Sequence, residues 1–293
     1  MDGVLNSLGT KFAERWVTLL ALPGVVFALT LALSWWLHPV GAAHALDPTV
    51  LGDRLDQTPP RWLTHTAHRL VLAALMTLLA VASAAAATEL GRLIARWWLG
   101  RGRLSQALLA PLRRRRVRRA EREAPPGHHV PTRYLPERAT RIGDHLLLAE
   151  RRVAAQYGVL LVRAWPRLWQ LCDDNERAPL QATWDRYTAA AVRSAWALGY
   201  LALGVLWWPA AVAGGALYLS AWAAARRAAA ELGVLIEALT DTKLLALAEA
   251  LGVTPAHGRF TTADGQAIDG ILDKGSFLPD AVPTPSPGQT ARP

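Results

Sequence analysis

Residues 70–88 read LVLAALMTLLAVASAAAAT, nineteen positions without a charge. A helix needs about 20 such residues to cross a hydrocarbon layer of roughly 30 Å, so this run predicts a transmembrane helix rather than a core helix of a water-soluble domain. Its helical pattern continues through Glu89, Arg92 and Arg96 to Trp97 and Trp98. From Arg69 to Trp98 the rod would measure about 45 Å, which puts its last turns beyond the hydrocarbon.

Composition agrees with a membrane class. Of 293 residues 52% are apolar, and mean hydropathy is positive. Three further runs have the same character: VTLLALPGVVFALTLALSWWL at 17–37, SAWALGYLALGVLWW at 194–208 and AAVAGGALYLSAWAAA at 210–225. Lys11 and Arg15 before the first run, with Ala43-His44-Ala45 after it, also fit a cleaved signal peptide. The apolar run is longer than the about 7–15 residues of such peptides, which favours a span. Pro23–Gly24 predicts a kink in it. The last two runs are short, and a single span there is the simpler alternative; Pro209 between them favours a tight re-entrant turn and two spans.

Charge sets the orientation. The stretch 92–193 carries 21 Lys and Arg, against two in the N-terminal tail and two, Arg54 and Arg61, in the loop 38–68. By the positive-inside rule the insert and both termini face the cytoplasm. Tryptophan favours the headgroup level, and Trp35, Trp36, Trp207 and Trp208 fall at the expected outer interface, Trp16, Trp97 and Trp98 at the inner one. Small residues four apart suggest packing seams at Gly24 and Ala28, Ala82 and Ala86, and Ala211 and Gly215.

The expected fold is therefore all-α: an integral membrane protein with two transmembrane helical hairpins and an amphipathic, Arg-rich cytosolic helical insert. The divisions are 1–98 for the first hairpin, 99–178 for the insert, 179–228 for the second hairpin, 229–256 for a cytosolic amphipathic helix and 257–293 for a largely disordered tail. Within the insert, Ile142, Leu146, Val153, Tyr157, Leu160, Leu161 and Ala164 recur at helical spacing opposite Arg151, Arg152 and Arg163. Pro166 should kink or end that helix, and a new one can begin there. A further helix is expected to start near Pro179, where Asp173, Asp174 and Glu176 complement its dipole.

FAERW and LLALPG (12–16, 19–24), LPERATRIGD (135–144), YGVLLVRAWPRLW (157–169) and the helix at 231–252 resemble an uncharacterised family of bacterial, chiefly actinobacterial, four-span membrane proteins. WPRLW is the most specific part of the likeness. It implies the same layout in a bacterial inner membrane, and no activity. The region past about 253 and the triplet Asp241-Thr242-Lys243 depart from the pattern.

Catalytic and metal chemistry find little footing. His65-x-x-His68 lacks an evident third ligand, His128 and His129 lie in a Pro/Gly stretch, and the single cysteine, Cys172, precludes an internal disulfide. There is no phosphate-cradling glycine loop and no GxSxG. Span interiors offer hydroxyls, such as Thr30, Ser34, Thr77, Ser83, Tyr200 and Tyr218, but no Asp, Glu, Lys, Arg or His, which argues against a substrate-coupled transporter. No cofactor is called for.

Two groups remain as candidate contacts for lipid or a partner. The first is LRRRRVRRAEREAP (112–125), with Arg113, Arg114, Arg115, Arg116, Arg118, Arg119 and Arg122; residues 113–122 hold a local +6 of the chain's +9. A basic segment beside a span meets the anionic inner leaflet, at about 1 kcal/mol per charge. A nucleic-acid binder would spread its charge over a face, so nucleic acid is disfavoured. The second is Trp165, Pro166, Arg167 and Trp169, read either as an anchor of the cytosolic face or as a docking knob for a protein. The reading that follows is a non-enzymatic inner-membrane protein with a cytosolic docking or regulatory face. An oligomeric pore or membrane-disrupting effector built from further copies of the chain, and a membrane-embedded enzyme, are the alternatives.

Overall fold

The computed structural model describes residues 22–37, 47, 49, 65–100, 110–123, 138, 140–255 and 260–273. Among them are eight helices and no strand: α1 (Leu22–Leu37), α2 (Thr66–Leu99), α3 (Ala110–Glu123), α4 (Arg141–Tyr157), α5 (Leu161–Leu171), α6 (Asp174–Leu203), α7 (Trp208–Ala250) and α8 (Thr262–Leu272). The protein is all-α. Its described residues fall into two compact units, one within 1–116, 138–143 and 184–229, the other within 117–137, 144–183 and 230–293.

In the first unit α1 lies against α2 through small residues. A Cβ at Gly24 would stand 2.4 Å from the Ala80 carbonyl oxygen, so only glycine permits this approach. Ala28 is buried, as are Ala80, Ala84 and Ala87 on α2. The register differs from the one read from sequence, since Ala82 and Ala86 are exposed. In an Ala-rich run many pairs are spaced by four, and the partner glycine selects which of them faces inward. On α7 it is Gly214, against the Leu201 nitrogen and Ala197 oxygen, and not Gly215, that permits close approach; Ala211 does face the turn, at Gly204. Phe27 fills the space between α1 and α6, with its ring 5.5 Å from Trp196 and 5.4 Å from Tyr200.

Large side chains point outward instead. Leu22, Val26, Leu29 and Trp35 on α1, and Leu70, Val71, Leu75, Leu78 and Val81 on α2, are all exposed. Hydroxyls on these faces bond back to their own helices: Thr30 to the Val26 carbonyl at 2.7 Å and Thr77 to that of Ala73 at 2.8 Å. Ser34 is the exception, buried with no partner for its Oγ among the described residues.

α2 is the one described helix long and apolar enough to cross a membrane. Its 34 residues would span about 51 Å. The described part of the first expected span, α1, has 16 residues, and positions 17–21 with Trp16 lie outside the described residues. The expected second hairpin takes a different form. α6 begins at Asp174, ahead of Pro179, and ends at Leu203; the turn is Gly204–Trp207, with the Trp207 N–H donating to the Leu203 carbonyl at 3.0 Å. Pro209 is not in the turn but in the first turn of α7, where its missing N–H is no loss. α7 then runs unbroken for 43 residues, joining the fourth expected span to the helix expected after it. Trp98, expected at an interface, is buried beside Tyr187, ring centroids 6.3 Å apart.

In the second unit, Val153, Val159, Leu161, Leu168, Leu244, Leu247 and Ile268 form one core, and Cys172, Leu180, Leu232 and Leu239 another. The helix expected across 141–164 breaks at Gly158 (φ 71), not at Pro166. That break turns Leu161 inward while leaving Leu160, expected on the apolar face, exposed. Pro166 sits inside α5, which begins five residues earlier, and forfeits only the bond to the Val162 carbonyl. Residues 262–272, expected in a disordered tail, form α8, whose Thr261 and Asp264 make a reciprocal capping box. Residues 279–293 lie outside the described residues.

Candidate functional site: an arginine helix and a tryptophan pair

The arginine run is helical, on α3. Seven arginines over ten positions distribute charge around the whole helix, leaving no apolar stripe wide enough for a core. Arg113, Arg114, Arg115, Arg118, Arg119 and Arg122 are exposed, and Arg116 is half-buried. Arg116 donates from Nη1 to the Arg138 carbonyl at 3.0 Å, and Arg138 in turn donates to the carbonyl of Gly100, the left-handed cap of α2, at 2.9 Å. Thr140 completes this tie: its hydroxyl donates to the Trp98 carbonyl and accepts from the Gly143 N–H at the start of α4. Arg138 and Thr140 were legible only as part of a family-like string, without a role.

Trp165 and Trp169 meet on one face of α5, their ring centroids 5.9 Å apart and their planes tilted by 37°. Four-residue spacing on a helix continuous through Pro166 places them so. Both are half-buried, while Pro166 is exposed. Arg167 was expected to reach headgroups or a carboxylate; its Nη1 donates to the Arg163 carbonyl on its own helix at 2.9 Å. The guanidinium that engages the pair is Arg177, whose carbon lies 5.7 Å from the Trp169 ring centre. Its Nε and Nη2 donate to the Trp169 carbonyl at 3.2 and 3.1 Å, satisfying the open C-terminal end of α5.

The acidic cluster caps α6. Asp173 Oδ1 accepts from the Glu176 N–H at 2.8 Å, and Glu176 Oε2 accepts from the Asp173 N–H at 3.0 Å. Lys243 reaches Glu176 at 2.8 Å. Asp241, two residues earlier, accepts from the Tyr157 hydroxyl at 2.8 Å. Burial, reinforced by Asp241, pushes that phenol up to about 12. Burial also raises the Cys172 thiol, whose sulfur donates to the Leu168 carbonyl. Among the described residues no three His, Cys, Asp or Glu are grouped as metal ligands.

The hydrogen bond from Lys243 holds Glu176 below its ordinary range, and Glu176 holds the lysine above its own. A carboxylate depressed on folding contributes stability that is present above its unfolded value, about 4.3, and is lost as pH falls through the folded one. The melting-temperature gap between wild type and Lys243→Met should therefore be present near neutral pH and close as pH falls through the lowered folded-state value of Glu176. A gap that persists in acid would show that the Lys243 ammonium stabilises the fold by something other than its pairing with ionised Glu176.

No family model, curated protein or solved structure matches this chain. The arginine run falls across the division between the two units, and the tryptophan pair lies wholly in the second.

Proposed function

We propose that the chain is a non-enzymatic bacterial inner-membrane protein, with two helical hairpins in the bilayer and a cytosolic docking or regulatory face made by its second unit. The observation that carries this reading is the inverted polarity of α1 and α2, small residues inward and large aliphatic ones outward. In water each such Leu or Val left exposed forgoes roughly 1.5–3 kcal/mol of burial, whereas lipid tails solvate them at no such loss. The concentration of arginine in the insert supports the same layout. On this reading α3 lies against the anionic leaflet, because a helix charged on all sides gains most from a counter-charged surface.

Topology is the test. With Cys172→Ser as background, cysteines placed at Pro48 and at His128 should respond oppositely to an impermeant thiol reagent on intact cells, the first labelled and the second spared. Labelling at 128 alone would reverse the orientation, and labelling at both would remove the insert from the cytoplasm.

A further inference from the structure

Trp222 and Arg226 stand one turn apart on α7, with the Arg226 guanidinium carbon 4.8 Å from the centre of the Trp222 ring. Arg226 makes no ion pair among the described residues, and its Nε is shielded from solvent without a hydrogen-bond partner. A guanidinium held against an aromatic face with an unsatisfied donor is a group that lacks its acceptor. Its neighbours reinforce the deficit. Ala225, Ala228 and Ala229 are buried in one layer with Trp98, Tyr187 and Ala191. At this layer Arg96 follows Ala95 on α2, Arg193 lies two residues past Ala191 on α6, and Arg227 follows Arg226. All three are exposed and none is ion-paired among the described residues. Glu89 is held by Arg92, and Asp185 is joined to none of them.

We propose that Trp222 and Arg226 form the core of a binding site for the phosphate of an acidic phospholipid. Arg226, half-buried with its Nε shielded, would present the N–H donors of its terminal nitrogens to the phosphate oxygens, Trp222 would hold the guanidinium edge-on to them, and Arg96, Arg193 and Arg227 would add attraction. The apolar stretch 210–225 ends immediately before Arg226, so the site stands where hydrocarbon gives way to headgroups; this placement rests on the membrane reading above. The proposed site invokes none of the α3 arginines.

Full-length protein extracted in mild detergent is titrated with phosphatidylglycerol, phosphatidylcholine and inorganic phosphate, and bound species are counted by native mass spectrometry. Wild type should retain phosphatidylglycerol preferentially, and Arg226→Gln should weaken that binding about tenfold, the equivalent of one charge-assisted hydrogen bond. Arg226→Lys should weaken it too, because a point charge does not replace a fork, and so should Trp222→Leu, which keeps the charge. The triple variant Arg113→Gln, Arg114→Gln, Arg115→Gln should leave the tight class intact. Equal retention of phosphatidylglycerol by wild type and all three site variants overturns the site, and equal binding of inorganic phosphate overturns the lipid as its ligand. An alkaline carbonate wash separates the two levels. Protein released into the supernatant defeats the membrane reading, whereas carbonate-resistant protein with unchanged lipid binding in Arg226→Gln defeats only the site.

Discussion

Gly265→Val is expected to unseat α8 and destabilise the second unit by about 3–6 kcal/mol, the loss of two large buried side chains at roughly 1.5–3 kcal/mol each. A Cβ at position 265 would lie 1.7 Å from the Tyr157 carbonyl oxygen and 2.9 Å from Val159 Cγ2. The Tyr157 carbonyl cannot yield, because Tyr157 ends α4 and the next residue is the left-handed Gly158. The helix must therefore lift, and with it go Ile268, wholly buried, and Leu272. The ion pairs from Arg163 to Asp269 at 2.9 Å and Asp273 at 3.0 Å would be lost as well. Being partly exposed, they add at most about 1 kcal/mol each. Hydrogen exchange over 260–273 and the protein's melting temperature read the effect. Gly270→Ala on the same helix is the control, since nothing lies within 4 Å of its Cβ and the change should be neutral or raise helix stability by up to about 1 kcal/mol. Equal exchange in the two variants would mean that α8 is not seated by contact at Gly265.

Helix content was legible in the sequence because apolar runs and 3.6-residue periodicity are local signals, and so was the meeting of Trp165 with Trp169, which needs only four-residue spacing. What failed to read through was decided by partners distant in sequence. Pro166 is a strong local breaker, yet the chain breaks at Gly158, because Thr262 and Gly265 of α8 pack against that corner and leave no room for a side chain. α8 itself was hidden in Gly- and Asp-rich composition. Its two clues were Thr261 with Asp264 as a capping box and Asp269 with Asp273 four apart opposite Arg163. The choice of Ala80 and Ala84 over Ala82 and Ala86 was equally non-local, set by where Gly24 falls on the partner helix. Asp241 and Lys243, given no role by the sequence, bond to Tyr157 and Glu176 across more than sixty residues of sequence. The same applies to Arg226, ordinary in sequence until its stacking on Trp222 and its missing acceptor are seen together.

Replacing Trp165 and Trp169 together by alanine should loosen α5 without releasing the protein from the membrane fraction. Trp165 packs against both apolar clusters of the second unit, and Trp169 against the one that holds Leu232 and Leu239. A core Trp→Ala costs about 3–5 kcal/mol, so two half-buried rings should together cost about 4. Their mutual contact and the Arg177 stack mean the single variants do not sum to the double, by about 0.5–1.5 kcal/mol. Trp169→Ala also removes the surface on which Arg177 rests, although Arg177 can keep its bonds to the backbone carbonyl of residue 169. Trp165→Ala should therefore be the more damaging single change. In inside-out vesicles the double variant should be cut faster between 141 and 172, where Arg151, Arg152, Arg163 and Arg167 offer trypsin sites. Such a result makes the pair an anchor within the cytosolic face. Protection equal to wild type would instead leave the rings dispensable to the fold and free the exposed edge around Pro166 to be read as the docking knob.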